Sequence, residues 1–231
     1  RGTKSFEGDQ QLLIGAYVIG TRRRGKGLII DLEKIEREIK LNVSLVVHLK
    51  MTGQMIYEPH GKGDLEHLKH RVVGGHPTAD FIQKLPSNHT RVILKFIDSE
   101  GNAAGVLFFN DQRKFGWMKL MNTDEVEKLA FISRLGPEPW QMTDEQWKRV
   151  LKTNKPIKVR LMEQEVIAGV GNIYANDALW EAGIDPRRKS SSLTESESKL
   201  LKKMVVKVLE EGVFYGGATA ITGTNLRTYC A

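Results

Sequence analysis

Cysteine is almost missing: the 231 residues contain one, Cys230. One thiol forms no internal disulfide and builds no thiolate zinc cluster. No apolar run approaches the length of a membrane span, and no secretory-signal pattern opens the chain. Acidic residues are outnumbered, 28 against 35 Lys and Arg, which leaves a net charge of +7 and a pI near 9.4. That balance favours an anionic partner, and by itself it fits DNA, RNA or an acidic membrane surface. Hydrophobic residues make up 40% of the chain, too many for a disordered polyelectrolyte. The length allows one large domain or two small ones with real cores. An intracellular protein that faces nucleic acid is the simplest reading.

The most informative stretch runs from Ile157 to Arg188. Its apolar spacing predicts two helices around a tight Gly169-Val170-Gly171-Asn172 turn. Ile157, Leu161 and Met162 share one face of the first; Ile173, Ala175, Leu179 and Ala182 are expected on the buried side of the second. Gly183 stops that helix and Pro186 keeps it stopped. Asn172 stands at a helix start, able to cap it or to point outward. Free N–H groups there suit an anion, and Lys155, Lys158, Arg160, Arg187, Arg188 and Lys189 crowd the same end. On spacing alone an ordinary helix hairpin with a solvated charged face fits equally well.

Upstream, Ala16–Gly20 and Gly27–Leu32 read as strands, with the basic tip Thr21–Lys26 between them. Leu45–Leu49 and Met55–Tyr57 read as a further strand pair around Lys50–Gln54. The segment 59–87 reads as an exposed connecting loop with one short helix. His60, His67, His70 and His76 are spaced irregularly and lack cysteine partners, so no metal site is expected. Thr90–Ile97 and Val106–Asn110 form a predicted hairpin, followed by the turn Asp111–Trp117. Beyond it, Thr123–Leu135, Thr143–Lys152 and Thr194–Gly212 are predicted helices, the first two joined by a rigid Gly136-Pro137-Glu138-Pro139 linker.

The segment MEQEVIAGVGNIYANDALWEAGIDPRR closely resembles the helix–two-turn–helix signature of the formamidopyrimidine-DNA glycosylase family. RRRGKGLIIDL, HLKMTGQM, NHTRVIL, DQRKFG and LGPEP are similar to further phrases of that family, so the resemblance covers nearly the whole chain. It implies an α+β fold: a β-sandwich domain over 1–120 that lacks its first strand and helix, then an all-helical domain over 121–231 carrying the DNA-binding motif at 157–188. DNA would lie in the cleft between them. It implies roles as well. Lys26 would assist proton transfer during strand cleavage, held protonated by nearby phosphates. Met51 would enter the duplex as an adaptable wedge, and His48 would support a phosphate contact. Arg113 would pair with the orphaned base after flipping, Phe115 would wedge the opposite stack, and Lys114 would lie toward the backbone. His89, Lys158 and Asn172 would bind DNA, with the basic contact near Thr153 aligned ambiguously among its neighbours. Gly216-Gly217-Ala218-Thr219 resembles the start of the family's lesion-recognition loop.

Two parts of the family pattern find no match. The family opens on a proline whose amine is the nucleophile, and Arg1-Gly2-Thr3 does not resemble it. An α-amine suits attack because it titrates near 7.7–8.0, about two units below lysine. The C-terminal zinc finger, with its one zinc ion, is also unmatched, so no cofactor is expected within these residues. The expected function is base-excision repair: a bifunctional glycosylase and AP lyase for oxidised purines, 8-oxoguanine and formamidopyrimidines, with the printed chain inactive alone. The alternatives are a non-catalytic damaged-DNA-binding paralogue and an endonuclease VIII-like glycosylase for pyrimidine lesions. The expected partner is double-stranded DNA holding an oxidised base, with no membrane. A cytoplasmic, nucleoid-associated monomer is the expected form.

Overall fold

The computed structural model describes residues 5–60 and 70–217. His67, Ala218, Thr219 and Cys230, singled out above, lie outside the described residues. Two compact units emerge: residues 1–23 with 27–126, and residues 24–26 with 127–231.

The first unit is a sandwich of two sheets. One has the order β1-β9-β4-β3-β2, built from β1 (Phe6–Glu7), β2 (Tyr17–Arg24), β3 (Gly27–Glu36), β4 (Ile39–His48) and β9 (Trp117–Asn122). The other has the order β6-β5-β8-β7, built from β5 (Gly53–Pro59), β6 (Val72–Gly75), β7 (Thr90–Ile97) and β8 (Ala103–Asp111). Alternation decides which side chains meet. Ile30, Leu32, Val43, Leu45, Val47, Met118 and Leu120 turn inward from the first sheet and meet Phe109 with partly buried Val92 and Leu94 from the second. At about 25 cal/mol per Å2 of apolar surface, this interior is the main favourable contribution to the unit. Sheet two has a second apolar layer: Ile56 and Phe108 on its outer side are roofed by Phe81 and Leu85.

Several sequence expectations change here. β2 runs on through Arg24, so the basic residues Arg22 to Arg24 lie within a strand and only Gly25-Lys26 makes the turn. β4 and β5 are not partners: β4 pairs with β3 and β9, and β5 with β6 and β8. Both strands carry apolar residues for a shared interior, and crossing from one sheet to the other at Leu49–Thr52 lets each fill it from its own side. The segment after Pro59 contains a strand, β6, and a 3-10 turn at Ala79–Phe81, neither legible from its polar composition.

The second unit is helical: α1 (Ala130–Ser133), α2 (Asp144–Leu151), α3 (Ile157–Met162), α4 (Asn172–Glu181) and α5 (Glu195–Phe214). The predicted helix Thr123–Leu135 is broken into a 3-10 stretch, Thr123–Lys128, and the short α1. α2 and α5 begin as expected, each on a threonine in a reciprocal capping box, Thr143 with Gln146 and Thr194 with Glu197. Trp147, Ile157, Leu161, Ile167, Val170, Ala175, Leu179, Leu201 and Val205 form the core. Ile173 is not in it: it is 43% exposed, and Ala175, Asp177, Ala178 and Leu179 make the buried stripe of α4. Among the described residues no helix is long and apolar enough to cross a membrane.

Candidate functional site

Two groups of predicted site residues stand out, one in each unit. In the first unit, two loops present side chains to solvent: Lys50–Thr52 after β4 and Gln112–Gly116 after β8. Both contain a non-glycine residue in the left-handed region, Lys50 at φ 54° and Lys114 at φ 59°. Such backbone is held only where its surroundings over-determine it. The holding group is Asp111, a buried carboxylate. It accepts from the Thr52 hydroxyl, from the Arg113 N–H at 3.2 Å and from the Gly116 N–H at 2.6 Å. One carboxylate thus fixes both loops against each other. Its own N–H donates to the His89 carbonyl at 2.9 Å, and its carbonyl accepts from Arg91 Nε at 2.9 Å.

On that frame Met51 is 67% exposed and Phe115 is 56% exposed. Arg113 Nη1 donates to Met51 Sδ at 3.5 Å, and its guanidinium carbon lies 4.9 Å from the Phe115 ring centre. A planar donor therefore stands between an unbranched apolar chain and an aromatic face. His48 is buried beneath the first loop, where Nδ1 accepts from the Lys50 N–H at 2.9 Å. His89 sits at the start of β7 with Nδ1 2.8 Å from Asp80.

In the second unit the group forms around the α3–α4 turn. Gln164 staples it: its amide donates to the carbonyls of Met162 and Val170, both at 2.8 Å, and its oxygen accepts from the Gly169 N–H at 3.0 Å. Gly169 lies at φ 90°, a conformation side chains other than glycine resist. Gly171 is the residue that caps α4, and it has no side-chain hydrogen bond to offer; Asn172 is the first helical residue, exposed. The helix-start amides are thus left without a side-chain cap.

Residues 24–26, the tip of the β2–β3 turn, pack within this unit. The buried Glu138 accepts from the Gly25 N–H at 2.7 Å, and Arg24 donates to the carbonyls of Leu135 and Gly136 at 3.2 and 2.9 Å. The linker is itself bonded to the turn, through Gly136 N–H to the Gln164 carbonyl and Ala168 N–H to the Pro137 carbonyl, both 3.0 Å. The result brings Lys26 to the helix start: a methyl built on Gly171 would lie 3.4 Å from Lys26 Nζ. Lys26 is an exposed residue, yet partial desolvation lowers its pKa below the ordinary 10.5. Without a phosphate alongside, the protein therefore favours the neutral amine more than water does.

The basic crowd near the turn is largely committed. Lys155 and Arg160 both pair with Glu163, Arg187 with Asp185, and Arg188 forks onto Glu197 at 2.6 and 3.1 Å. These bonds hold Asp185 and Glu197 down to about 2. Lys158 has no ion pair among the described residues.

The N-terminal domain of formamidopyrimidine-DNA glycosylase matches residues 3–118, and the H2TH domain of the same glycosylase matches residues 135–223. The chain belongs to the formamidopyrimidine-DNA glycosylase family. The formamidopyrimidine-DNA glycosylase of Desulfitobacterium hafniense is 34% identical over 210 residues, which are 90% of this chain and 62% of that protein. The Lactococcus lactis glycosylase is 31% identical over 229 residues, covering 98% of this chain and 69% of the relative. Among solved structures, a complex of the Lactococcus lactis glycosylase with DNA containing an abasic site is similar at a TM-score of 0.67 and 28% identity, covering 90% of this chain and 64% of that one. The chain thus spans less than two thirds of the length of the first of these relatives.

Within the glycosylase family's pattern, the structure brings Met51, Arg113 and Phe115 together, with His48 beneath the first of their loops, and separately brings Lys26 to Gly171, the residue before Asn172. Sequence reasoning missed Asp111, Glu138, Gln164 and Asp80, the polar groups that hold these positions. A carboxylate two residues beyond the apolar run Val106–Phe109 was the signal for Asp111; nothing local marks Gln164. Among the described residues no group of three or more His, Cys, Asp or Glu side chains is placed to hold a metal ion.

Proposed function

We propose that this chain is the DNA-engaging body of a base-excision repair enzyme, a glycosylase with AP lyase activity that removes oxidised purines from duplex DNA. The observation that carries the reading is the exposed triplet Met51–Arg113–Phe115, mounted on two strained loops by one buried carboxylate. Exposing an apolar chain and a ring has no benefit for folding. It serves a partner that offers an apolar, stacked hole, which extrusion of a base creates. The guanidinium supplies planar donors to the base left behind. The uncapped start of α4, with Asn172 and Lys158, suits phosphate oxygens.

In this mechanism an amine attacks C1′ of the flipped nucleotide, the bond from C1′ to the base nitrogen breaks, and the departing base takes up a proton. The sugar ring then opens: the C1′–O4′ bond breaks, O4′ takes up a proton, the amine loses one, and the nitrogen and C1′ become an imine; loss of a C2′ proton followed by departure of the 3′ phosphate cuts the strand. Lys26 handles a proton beside the phosphate backbone. Its partly desolvated ammonium gives up that proton more readily than a lysine free in water and recovers it as phosphate approaches. No match to the family's attacking proline occurs among the 231 residues. The zinc finger of the family is proposed to lie outside the matched residues.

Borohydride trapping on a duplex holding one 8-oxoguanine tests this. Protein from the complete reading frame should give a covalent adduct, and the Arg113→Ala variant should give far less. Absence of an adduct from the intact protein would reduce the reading to damaged-DNA binding without catalysis. Faster excision of thymine glycol than of 8-oxoguanine would move it to pyrimidine lesions.

A further inference from the structure

Met51 carries a chemistry that the reaction above does not use. Its side chain ends in a thioether, and an accessible thioether takes an oxygen atom from a hydroperoxide. Of the seven methionines, all of them among the described residues, Met51 alone is exposed, at 67%. Met118, Met142 and Met204 are buried in the two cores, and Met55, Met121 and Met162 are half-buried. The backbone on either side of Met51 is held in place. The Lys50 N–H donates to His48 Nδ1 at 2.9 Å, and the Thr52 hydroxyl donates to Asp111. The loop is thus fixed while the thioether it presents stands in solvent.

The sulfur also lies against the guanidinium of the neighbouring loop. Arg113 Nη1 donates to Met51 Sδ at 3.5 Å, and the same guanidinium is 4.9 Å from the Phe115 ring centre. A thioether is a weak acceptor and releases that N–H readily. A sulfoxide oxygen is a strong, dipolar acceptor, and toward a cation it makes a charge-assisted hydrogen bond. The step balances as follows. A sulfur lone pair attacks one oxygen of hydrogen peroxide, an S–O bond forms and the O–O bond breaks. The other oxygen leaves as water, carrying the proton of the oxygen transferred. Sulfur loses two electrons and the peroxide gains them. The product is polar and chiral where the thioether was apolar, so placing it between stacked bases costs desolvation. Its oxygen holds Arg113 to the loop instead of leaving the guanidinium free for a base that has lost its partner.

We propose that Met51 is a reversible oxidation site: conversion of its sulfur to the sulfoxide makes the wedge polar and ties Arg113 back, so hydroperoxide lowers the affinity for lesion DNA and methionine sulfoxide reductases restore it. The proposal rests on the reading of this chain as a lesion-DNA binder.

Peroxide titration of protein from the complete reading frame tests it. Peptide mass spectrometry should place the first methionine oxygen on Met51, with the melting temperature unmoved because the cores are untouched. At full Met51 sulfoxide, anisotropy titration of a duplex with an abasic-site analogue should show binding about tenfold weaker. Dithiothreitol alone, which reverses disulfides and sulfenic acids, should leave the loss in place. Dithiothreitol with both reductases, one for each sulfoxide epimer, should remove it. Met51→Gln should begin at the weaker affinity of the oxidised wild type. Met51→Leu, compared with its own untreated form, should lose no more than about twofold. First oxidation at another methionine, unchanged affinity at full Met51 sulfoxide, or an equal loss in Met51→Leu overturns the proposal and leaves the functional reading standing. If the untreated wild type binds no lesion duplex, the functional reading fails and the proposal with it.

Discussion

Single side chains carry the chemistry, and their surroundings set their charge. Lys26 sits beside Gly171 with its ammonium partly desolvated, and burial alone accounts for its lowered pKa. Replacing it with glutamine should slow single-turnover excision by the intact enzyme by about 100-fold or more, the range of one proton-transfer group. Affinity for an uncleavable analogue should change far less; equal losses in both would make Lys26 a binding residue only. Asp80 makes a statement about stability. Its folded pKa is depressed below 3.8, so the unfolded chain binds the extra proton first as pH falls. The stabilisation is complete above about 3.8 and disappears as pH drops through the lower folded value. Urea midpoints measured from neutral to acid pH should therefore fall less steeply in Asp80→Asn than in the wild type across that window.

At the scale of elements, two glycines separated by Val170 do different work in the α3–α4 turn. Gly169 occupies φ 90°, so Gly169→Ala should destabilise the protein by about 1–2 kcal/mol, read as a lower melting temperature. Gly171 sits at φ −109°, which any residue adopts, and an added methyl meets only the flexible end of Lys26. Gly171→Ala should leave the stability within about 0.5 kcal/mol of wild type and still impair excision, because the methyl occupies the approach to the helix start. Equal destabilisation by both would mean the turn is merely structural. The loops of the first unit obey the same logic: Lys50 and Lys114 accept left-handed backbone because Asp111 and His48 hold the adjacent amides.

For the molecule as a whole, the net charge of +7 sets the mode of association. Duplex affinity should fall with salt on a log–log line whose slope counts the phosphates neutralised, about 0.9 per contact. Most cations around α4 are held in ion pairs, so the slope should be smaller than the charge suggests. Lys158→Gln should lower it by about one, because that ammonium has no ion-pair partner among the described residues. Arg187→Gln, which removes a cation already bound to Asp185, should lower it by less. Equal slopes for Lys158→Gln and wild type would remove Lys158 from the interface.

The sequence by itself determined the helix starts at Thr143 and Thr194, the hairpin of β7 with β8, the stop at Gly183 and the family to which the chain belongs. Each of these is a short-range signal: a cap, an alternation, a left-handed glycine, a run of motif residues. What lies between distant segments was decided only by the tertiary structure. The separation of β4 from β5 into two sheets follows from a shared interior that no local window reveals. Asp111 gathers partners from positions 52, 113 and 116, Glu138 reaches back to Gly25, and Asp80 reaches His89. A buried carboxylate is stable only when such partners converge on it, and that convergence exists only once the chain has folded.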